Sequence, residues 1–307
     1  MNTRWSLAVA VATAIGGVFP MAGLAQTGPE REAEVVESTG ESRLLIPIDV
    51  PRGTGGFQPE LSLIYSSQAP DGPFGVGWQL SVSEIARTGL FGVPAFDDSI
   101  DQFDLDGELL VPGGSPGRYH TSTESLKKLQ KSGESWTVTF PNGVTAEFGA
   151  NEETRVRRDG STGPVARWMI AALRDPSGNE VRFNYDRSDD GTAYPTQVGF
   201  TYRGGQPVGE LRKVEFIYES RGDESRSYPG GVRTTIRRRL FEVRTLVGSN
   251  VHRRRVFSYS ANSSGSTTRS RIVETQLFGS DCALSTVDPR LGCAGQPTQS
   301  FVYTATS

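Results

Sequence analysis

The chain has 307 residues, of which 36% are hydrophobic, and this is enough to bury a core in one or two domains. Its 36 glycines and 18 prolines follow no collagen period and no low-complexity run, so many turns between short strands explain them better than disorder does. The net charge of −3 excludes a general electrostatic attraction to nucleic acid or to an anionic membrane.

The beginning of the chain, residues 1–25, has the pattern of a secretory signal peptide. Arg4 supplies positive charge, residues 7–18 are a nearly unbroken apolar run, and Gly23 and Ala25 are the small residues of a cleavage site. An uncleaved membrane anchor is the alternative, but the run is short for a span. We therefore expect an exported protein, periplasmic, cell-surface or extracellular, with no membrane span after the signal is removed.

Residues 26–42 are polar and acidic, which predicts a loose leader, and residues 43–307 have the pattern of an all-β domain. The most distinctive part is residues 46–78, here called the signature segment, where turn residues flank the alternating run 61–65. Because glycine supplies positive φ and proline fixes φ near −65°, the segment predicts turn, strand and turn. The residues of this motif, with the tryptophan as core anchor, are Pro51, Gly53, Gly55, Gly56, Pro59, Gly72, Gly75, Gly77 and Trp78.

Alternating and apolar runs mark the strands. The predicted strands are 44–50, 61–65, 136–140, 144–148, 181–185, 198–202, 213–218, 234–246, 254–259, 272–278 and 301–304. The pair Asn142-Gly143 is a strong hairpin signal, since it adopts the positive φ that a tight turn requires. The best helix candidate, 165–173, lacks an amphipathic stripe. The sequence therefore predicts an all-β fold, a curved multi-stranded antiparallel sheet with many short strands.

A Phe-x-Tyr pair recurs at the ends of predicted strands. Aromatic residues at i and i+2 project to the same face, so each copy adds a pair of rings to a long sheet, although a general preference of aromatics for strands is the alternative. Within 234–247 the hydrophobic residues change face, which predicts a bulge near Leu240 that bends the sheet. The five pairs begin at Phe183, Phe200, Phe216, Phe257 and Phe301.

The acidic stretch 97–107 is the best candidate for a metal site, and it is a weak one. An EF-hand loop would place ligands at Gln102 and Gly113, which cannot supply them as required. Asp106 and Gly107 are instead predicted to form a β-turn between two short strands. We expect no metal or cofactor site, with adventitious metal binding as the alternative.

Nucleic-acid binding and catalysis find little support. The arginine triplets 237–239 and 253–255 lie in predicted strands of an acidic chain, so solvated or cross-strand-paired arginines are expected, with a lumen or an acidic partner patch as the other possibility. His120 and His252 have no neighbouring nucleophile or metal motif. We therefore expect no catalytic residue, no cofactor and no nucleic-acid partner.

The two cysteines, Cys282 and Cys293, lie eleven residues apart near the end of the chain. An oxidising compartment favours a disulfide between them, whereas a metal site would need further ligands that are not near in sequence. Loop-closure entropy predicts a stabilisation of about 2–3 kcal/mol from this bond.

Several of these motifs resemble those of one family. Residues 51–67 and 72–78 closely resemble the opening of the SpvB-type N-terminal domain, whose family includes the B subunits of Tc insecticidal toxin complexes and many Rhs/YD-repeat toxins. Phe74 stands where that pattern usually has leucine. Later stretches that look like motifs of the family are 85–87, 101–110, 168–185 and 216–240, so the resemblance covers roughly residues 40–305.

The resemblance implies a wall segment of a β-sheet shell that, with YD repeats, encloses a toxic C-terminal polypeptide. The expected partners are other toxin-complex subunits or the remainder of an Rhs-type shell, and the chain is expected to be either the N-terminal part of a larger protein or a short freestanding relative. The alternative is an extracellular or cell-surface module that binds glycan or protein. An exposed aromatic groove would favour binding, whereas buried Phe-x-Tyr pairs with free edge strands would favour a wall.

Overall fold

The computed structural model of the chain describes residues 5–10, 34–36, 40–89, 92–160, 162–260, 269–280 and 298–305. Within these residues the chain forms 21 strands and three 3-10 turns but no α-helix, and the predicted all-β, antiparallel fold is confirmed. The strands are β1 (Trp5–Ala10), β2 (Glu34–Val36), β3 (Glu41–Pro47), β4 (Ser62–Ser66), β5 (Trp78–Leu80), β6 (Glu84–Thr88), β7 (Gln102–Leu105), β8 (Glu108–Pro112), β9 (Arg118–Thr121), β10 (Lys128–Ser132), β11 (Ser135–Thr139), β12 (Thr145–Phe148), β13 (Arg155–Asp159), β14 (Thr162–Arg174), β15 (Asn179–Asp186), β16 (Tyr194–Arg203), β17 (Gln206–Ser227), β18 (Thr234–Val247), β19 (Asn250–Tyr259), β20 (Ile272–Phe278) and β21 (Gln299–Ala305).

Eight of these strands close into an antiparallel barrel, in which β6 to β12 follow one another and β14 pairs with both β12 and β6. Three aromatic residues from different strands fill its interior: Phe103 from β7, Trp136 from β11 and Trp168 from β14 are each 1% exposed. Their ring centroids lie 5.0–5.9 Å apart in edge-to-face contacts. Such contacts add about 0.5–1.5 kcal/mol each to the free energy gained by burial.

The rest of the main sheet is a long antiparallel meander in which β14 to β21 pair in chain order. Because β14 pairs with β13 and β15 as well as with two barrel strands, it belongs to both parts. At the far edge, β1 pairs with β21 along six residue pairs. β1 lies within the predicted signal peptide, so a cleaved chain would lack it.

A second, smaller sheet consists of β2 to β5 in chain order. β2 and the first residues of β3 fall inside the predicted leader 26–42, and the signature segment supplies β4, β5 and the turns around them. One continuous core joins the sheets, since Ile46 and Leu63 of the small sheet share a buried cluster with Phe103 of the barrel and Phe200 of the meander.

The predicted strands all coincide with observed strands, most of which are longer. The predicted hairpin is confirmed, because Asn142 and Gly143 join β11 to β12 and Gly143 has a φ of 81°. Residues 165–173, the best helix candidate in a sequence without a convincing helical period, form the middle of β14. They lack an amphipathic stripe because strands pair with both edges of β14 and side chains on both of its faces are buried.

The predicted bulge near Leu240 is confirmed, and three of the other register shifts in the sheet follow the same pattern. In each of four alternate strands, one residue has no partner in the register with the adjacent strand. Such a bulge bends the sheet and increases its twist. The skipped residues are Ala171 of β14, Thr196 of β16, Phe241 of β18 and Val273 of β20.

Candidate functional site

Four tyrosines connect successive strands of the meander, and we call them the tyrosine ladder. Each is the second aromatic of a Phe-x-Tyr pair, and its hydroxyl donates to a carbonyl of the preceding strand, at the residue directly before the bulged one. A bulge disrupts the regular hydrogen bonding of a sheet, so the hydroxyl supplies a donor to a carbonyl at the point of disruption. The pairs are Tyr185 to Ile170 at 2.9 Å, Tyr218 to Pro195 at 2.9 Å, Tyr259 to Leu240 at 2.7 Å and Tyr303 to Ile272 at 2.8 Å.

The tyrosines of the ladder are neutral donors. Burial raises the pKa of each hydroxyl well above its ordinary value, because the charged phenolate would lose its hydration. Their partner phenylalanines Phe183, Phe216, Phe257 and Phe301 are between 1% and 8% exposed, so both members of each pair line the core on one face of the meander, here called the aromatic face.

The fifth pair departs from the prediction that both rings share a face. Phe200 is fully buried, but Thr201 has a φ of 84° and the register shifts there, which turns Tyr202 to the opposite face. The Tyr202 ring lies under the guanidinium of Arg182, 4.5 Å from ring centroid to carbon. The i, i+2 rule holds only for a regular strand, and the backbone at Thr201 is not regular.

The signature segment covers the aromatic face. Trp78 is 1% exposed, its Nε1 donates to the Tyr303 hydroxyl at 3.0 Å, and its ring meets Phe301 edge to face at 5.5 Å. Phe74 packs beside Tyr218 at a centroid distance of 6.5 Å. The segment therefore packs against the meander as part of the core, rather than projecting as free loops.

Two glycines of the segment permit this close approach. Gly77 has a φ of 82°, and a Cβ there would lie 2.6 Å from the Tyr65 ring. Gly75 has a φ of 90°, and its Cβ would lie 2.9 Å from the Ser270 carbonyl oxygen. The other motif residues lie in turns: Pro51, Gly53, Gly55, Gly56 and Pro59 in or beside the 3-10 turn Thr54–Gly56, and Gly72 before β5.

A buried ion network fastens the segment to β17. The Arg221 side chain is 0% exposed, and its Nη2 lies 2.9 Å from Asp71 of the segment and 2.7 Å from Asp223, while Nη1 donates to the Gly72 carbonyl at 3.2 Å. Burial alone would raise the pKa of Asp223, but hydrogen bonds from Arg221 and Ser270 outweigh it and hold that pKa well below its ordinary value.

A cavity of about 640 Å³ lies where the signature segment meets the barrel and the meander. Apolar side chains such as Leu80 and Met169 line it together with four carboxylates, Asp71, Glu84, Asp104 and Asp106. Burial, reinforced by the negative charges of Glu84 and Asp106, raises the pKa of Asp104. Within the described part of the chain, no group of three or more metal-ligating side chains could hold an ion.

The remaining predicted residues have structural surroundings. Asp106 and Gly107 form the turn between β7 and β8, with φ of 54° and 84°. His120 and His252 are exposed on different strands and do not line the large cavity. Cys282 and Cys293 lie outside the described residues.

Arginines of both triplets pair with carboxylates, as expected for cross-strand ion pairs. Arg239 and Arg254 bond to glutamates of adjacent strands, whereas Arg237 reaches the turn after β15 and Arg238 reaches the last residue of β15. The pairs are Arg237 with Asp189 at 3.1 Å, Arg238 with Asp186 at 2.9 Å, Arg239 with Glu219 at 2.7 Å and Arg254 with Glu242 at 2.6 Å.

The sequence analysis assigned no role to Arg87, which is buried. Arg87 has a side chain that is 4% exposed and pairs with Asp98 and Asp101. Alternation along β6 places Arg87 on the same face as the buried Ile85, and this is the signal that could have identified it. A buried arginine requires carboxylate partners.

Comparison with known proteins agrees with the fold and the motifs. Together these define a β domain of the SpvB N-terminal type. The family model described as Salmonella virulence plasmid 65kDa B protein matches residues 36–132 and 118–203, more than half of the chain. The chain belongs to this family.

The mono(ADP-ribosyl)transferase SpvB of Salmonella choleraesuis (strain SC-B67) is 29% identical over 192 residues, covering 53% of this chain and 31% of that protein. The chain thus spans about a third of the length of the curated relatives that it matches.

Among solved structures, the N-terminal domain of the effector protein SpvB from Salmonella typhimurium strain LT2 matches 77% of this chain and 98% of its own, with 20% identity and a TM-score of 0.66. TcdB2-TccC3 matches 87% of this chain and 17% of its own, with 20% identity and a TM-score of 0.71. At these identities the structures show a shared fold. Among the described residues, no helix is long and apolar enough to cross a membrane.

Proposed function

We propose that this chain is a non-enzymatic structural component of a secreted toxin or toxin-complex-like protein, and that it forms the start of a β-sheet shell that houses or delivers a toxic C-terminal polypeptide. The observation that carries this proposal is the burial of the aromatic face. Glycan-binding grooves present free aromatic rings and free polar groups, whereas here the rings of the face pack in the core and each ladder hydroxyl bonds to a backbone carbonyl.

The edge of β21 supports the same function. Strand edges present unpaired backbone groups that accept a further strand. In the structure this edge pairs with β1, which lies within the predicted signal peptide. Removal of residues 1–25 would open the β21 edge to the next strand of a larger wall, and the proposed partners are therefore the remainder of an Rhs-type shell or other toxin-complex subunits.

Export fits this role. The pattern of residues 1–25 supports signal-directed export, and the similar proteins include an effector and a Tc holotoxin pore. We place the product in the periplasm, on the cell surface or outside the cell.

The test is the intact mass of the native secreted product, measured by mass spectrometry beside recombinant residues 26–307. The proposal predicts a product much longer than the recombinant chain, containing these residues at its start. A native product that begins near Gln26, ends at Ser307 and is two hydrogens lighter for a bond between Cys282 and Cys293 would contradict it, and would indicate a freestanding module.

The cavity of about 640 Å³ favours a second candidate, an extracellular module that binds glycan or protein. This function predicts that Leu80→Trp, which fills the cavity, abolishes binding on a glycan array or to captured surface proteins. The control is Leu109→Trp at a site 36% exposed outside the cavity. Unchanged binding by the Leu80→Trp variant would exclude the cavity as the site.

A further inference from the structure

A separate cavity of about 340 Å³ lies between β13 and the turn that joins β15 to β16. Three arginines from different positions line it, Arg155 and Arg157 from β13 and Arg187 from the turn, together with Glu152 of the 3-10 turn Glu152–Thr154. The cavity is distinct from the large one beside the signature segment, and the proposed shell function makes no use of it.

Two of the three arginines are fully neutralised. Arg155 lies 2.7 Å from Glu152, and Arg157 bonds to both Glu134 at 2.7 Å and Glu152 at 2.8 Å. The hydrogen bond from Arg157, with smaller contributions from Arg155, lowers the pKa of Glu152 to about 2, so this carboxylate is charged and its oxygens are occupied. The charges of Arg155 and Arg157 are thus balanced by those of Glu134 and Glu152, while Glu153, an exposed residue of the lining, adds one negative charge.

Arg187 differs from its neighbours. It is half-buried, and its Nε donates to the Thr192 carbonyl at 3.2 Å and its Nη1 to the Glu152 carbonyl at 3.5 Å. Across the described residues no carboxylate lies within 4 Å of its guanidinium. Burial, and after it the positive charge of Arg167, lowers the pKa of Arg187. The surroundings therefore disfavour the positive charge of this guanidinium.

The two carboxylates that follow Arg187 in the sequence do not neutralise its charge. Asp189 accepts from the Tyr194 hydroxyl at 2.6 Å and lies 3.1 Å from Arg237, and Asp190 lies 2.6 Å from Arg233. Both line the cavity, yet each carboxylate pairs with an arginine other than Arg187. Among the described residues the Nη2 of Arg187 has no hydrogen-bond acceptor, so this nitrogen is available to a ligand.

We propose that this cavity binds an oxyanion group, a phosphate, sulfate or carboxylate carried on a small molecule, with Arg187 as its principal ligand. The planar guanidinium fork matches two oxygens of such a group, and charge-assisted hydrogen bonds of this kind are the strong ones. The volume exceeds that of a bare ion, because a water molecule takes only about 30 Å³ of liquid volume, so there is room for the molecule that carries the group.

The test is isothermal titration calorimetry of the full chain with inorganic phosphate and, separately, acetate, with sodium chloride at matched ionic strength. Arg187→Gln is expected to weaken binding about tenfold or more, since it removes a charge-assisted contact. Arg118→Gln is the matched control, because Arg118 is exposed, lies outside the cavity and makes no ion pair among the described residues. The stronger of the two probes identifies the type of oxyanion.

A second variant keeps the test decisive if Arg187→Gln disturbs the turn. Ser188→Glu changes an exposed residue of the lining and places a carboxylate beside Arg187, so it is expected to abolish binding with the arginine present. Circular dichroism checks that each variant is folded. Saturable binding that both variants leave unchanged, or no saturable binding of either probe to the unmodified chain, would overturn the proposal.

Discussion

The substitution Tyr303→Phe removes one hydroxyl of the ladder, and we expect it to destabilise the protein by more than the loss of one hydrogen bond would. This hydroxyl donates to the Ile272 carbonyl at 2.8 Å and accepts from the Trp78 Nε1 at 3.0 Å. Each lost hydrogen bond costs about 1 kcal/mol, and the Trp78 donor, buried at 1% exposure, is left without an acceptor. We expect a decrease of about 2–3 kcal/mol in the free energy of unfolding.

The assay is urea unfolding followed by tryptophan fluorescence, compared at constant m-value so that a shift in midpoint reports stability. Tyr185→Phe loses one hydrogen bond and should cost about 1 kcal/mol. Tyr202→Phe is the matched control, because its hydroxyl makes no hydrogen bond among the described residues, and it should change stability by less than about 0.5 kcal/mol. Equal effects for Tyr303→Phe and Tyr202→Phe would refute the role of the ladder.

Three further predictions concern the signature segment and the ion pairs. Gly77→Ala meets the Tyr65 ring and should cost about 3 kcal/mol in a urea titration, whereas Gly107→Ala, at a similar φ with open space around it, should cost only about 1 kcal/mol. Arg221→Met leaves Asp71 and Asp223 without their buried arginine and should cost about 3–5 kcal/mol of stability. The control Arg226→Met, at an exposed arginine, should cost less than about 0.5 kcal/mol. Similar urea midpoints for the two variants would show that the buried ion network does not stabilise the fold. The folded-state pKa of Glu152, about 2, lies below its ordinary 4.5, so its contribution to stability is complete above pH 4.5 and is lost as the pH falls towards 2. In the Glu152→Gln variant, the free energy of unfolding should therefore fall less steeply between pH 4.5 and pH 2. The same fall as in the unmodified chain would show that these ion pairs do not stabilise the fold.

The local sequence pattern was sufficient to predict those parts of the fold that are determined by residues close together in the chain. Alternation located the predicted strands, and the Asn142-Gly143 pair located a hairpin. The change of face near Leu240 located a bulge, because a bulge leaves its mark on the strand that contains it.

Closure of the barrel could not be predicted in this way. It depends on β14 pairing with β6, where Trp168 lies opposite Ile85, and nothing in either strand specifies the other. Residues 165–173 showed no clear period in the sequence for a different reason, since a strand that is buried on both faces carries no period of two.

In the candidate site, too, local features could be predicted from the sequence, whereas contacts between distant residues could not. The tyrosines of the ladder were recognisable as repeated aromatics, but the carbonyls that they bond are set by bulges in other strands. The uncompensated charge of Arg187 is still harder to infer from sequence. Asp189 and Asp190 are close to it in the chain but pair with Arg237 and Arg233, which lie 48 and 43 residues further along.

The most direct test of the central claim is a cryo-electron microscopy reconstruction of the native secreted product, resolved at the edge of β21. We expect that the signature segment covers the aromatic face and that β21 pairs with a further strand of a hollow shell. A reconstruction in which the β21 edge meets solvent and the aromatic face forms an open groove would contradict it.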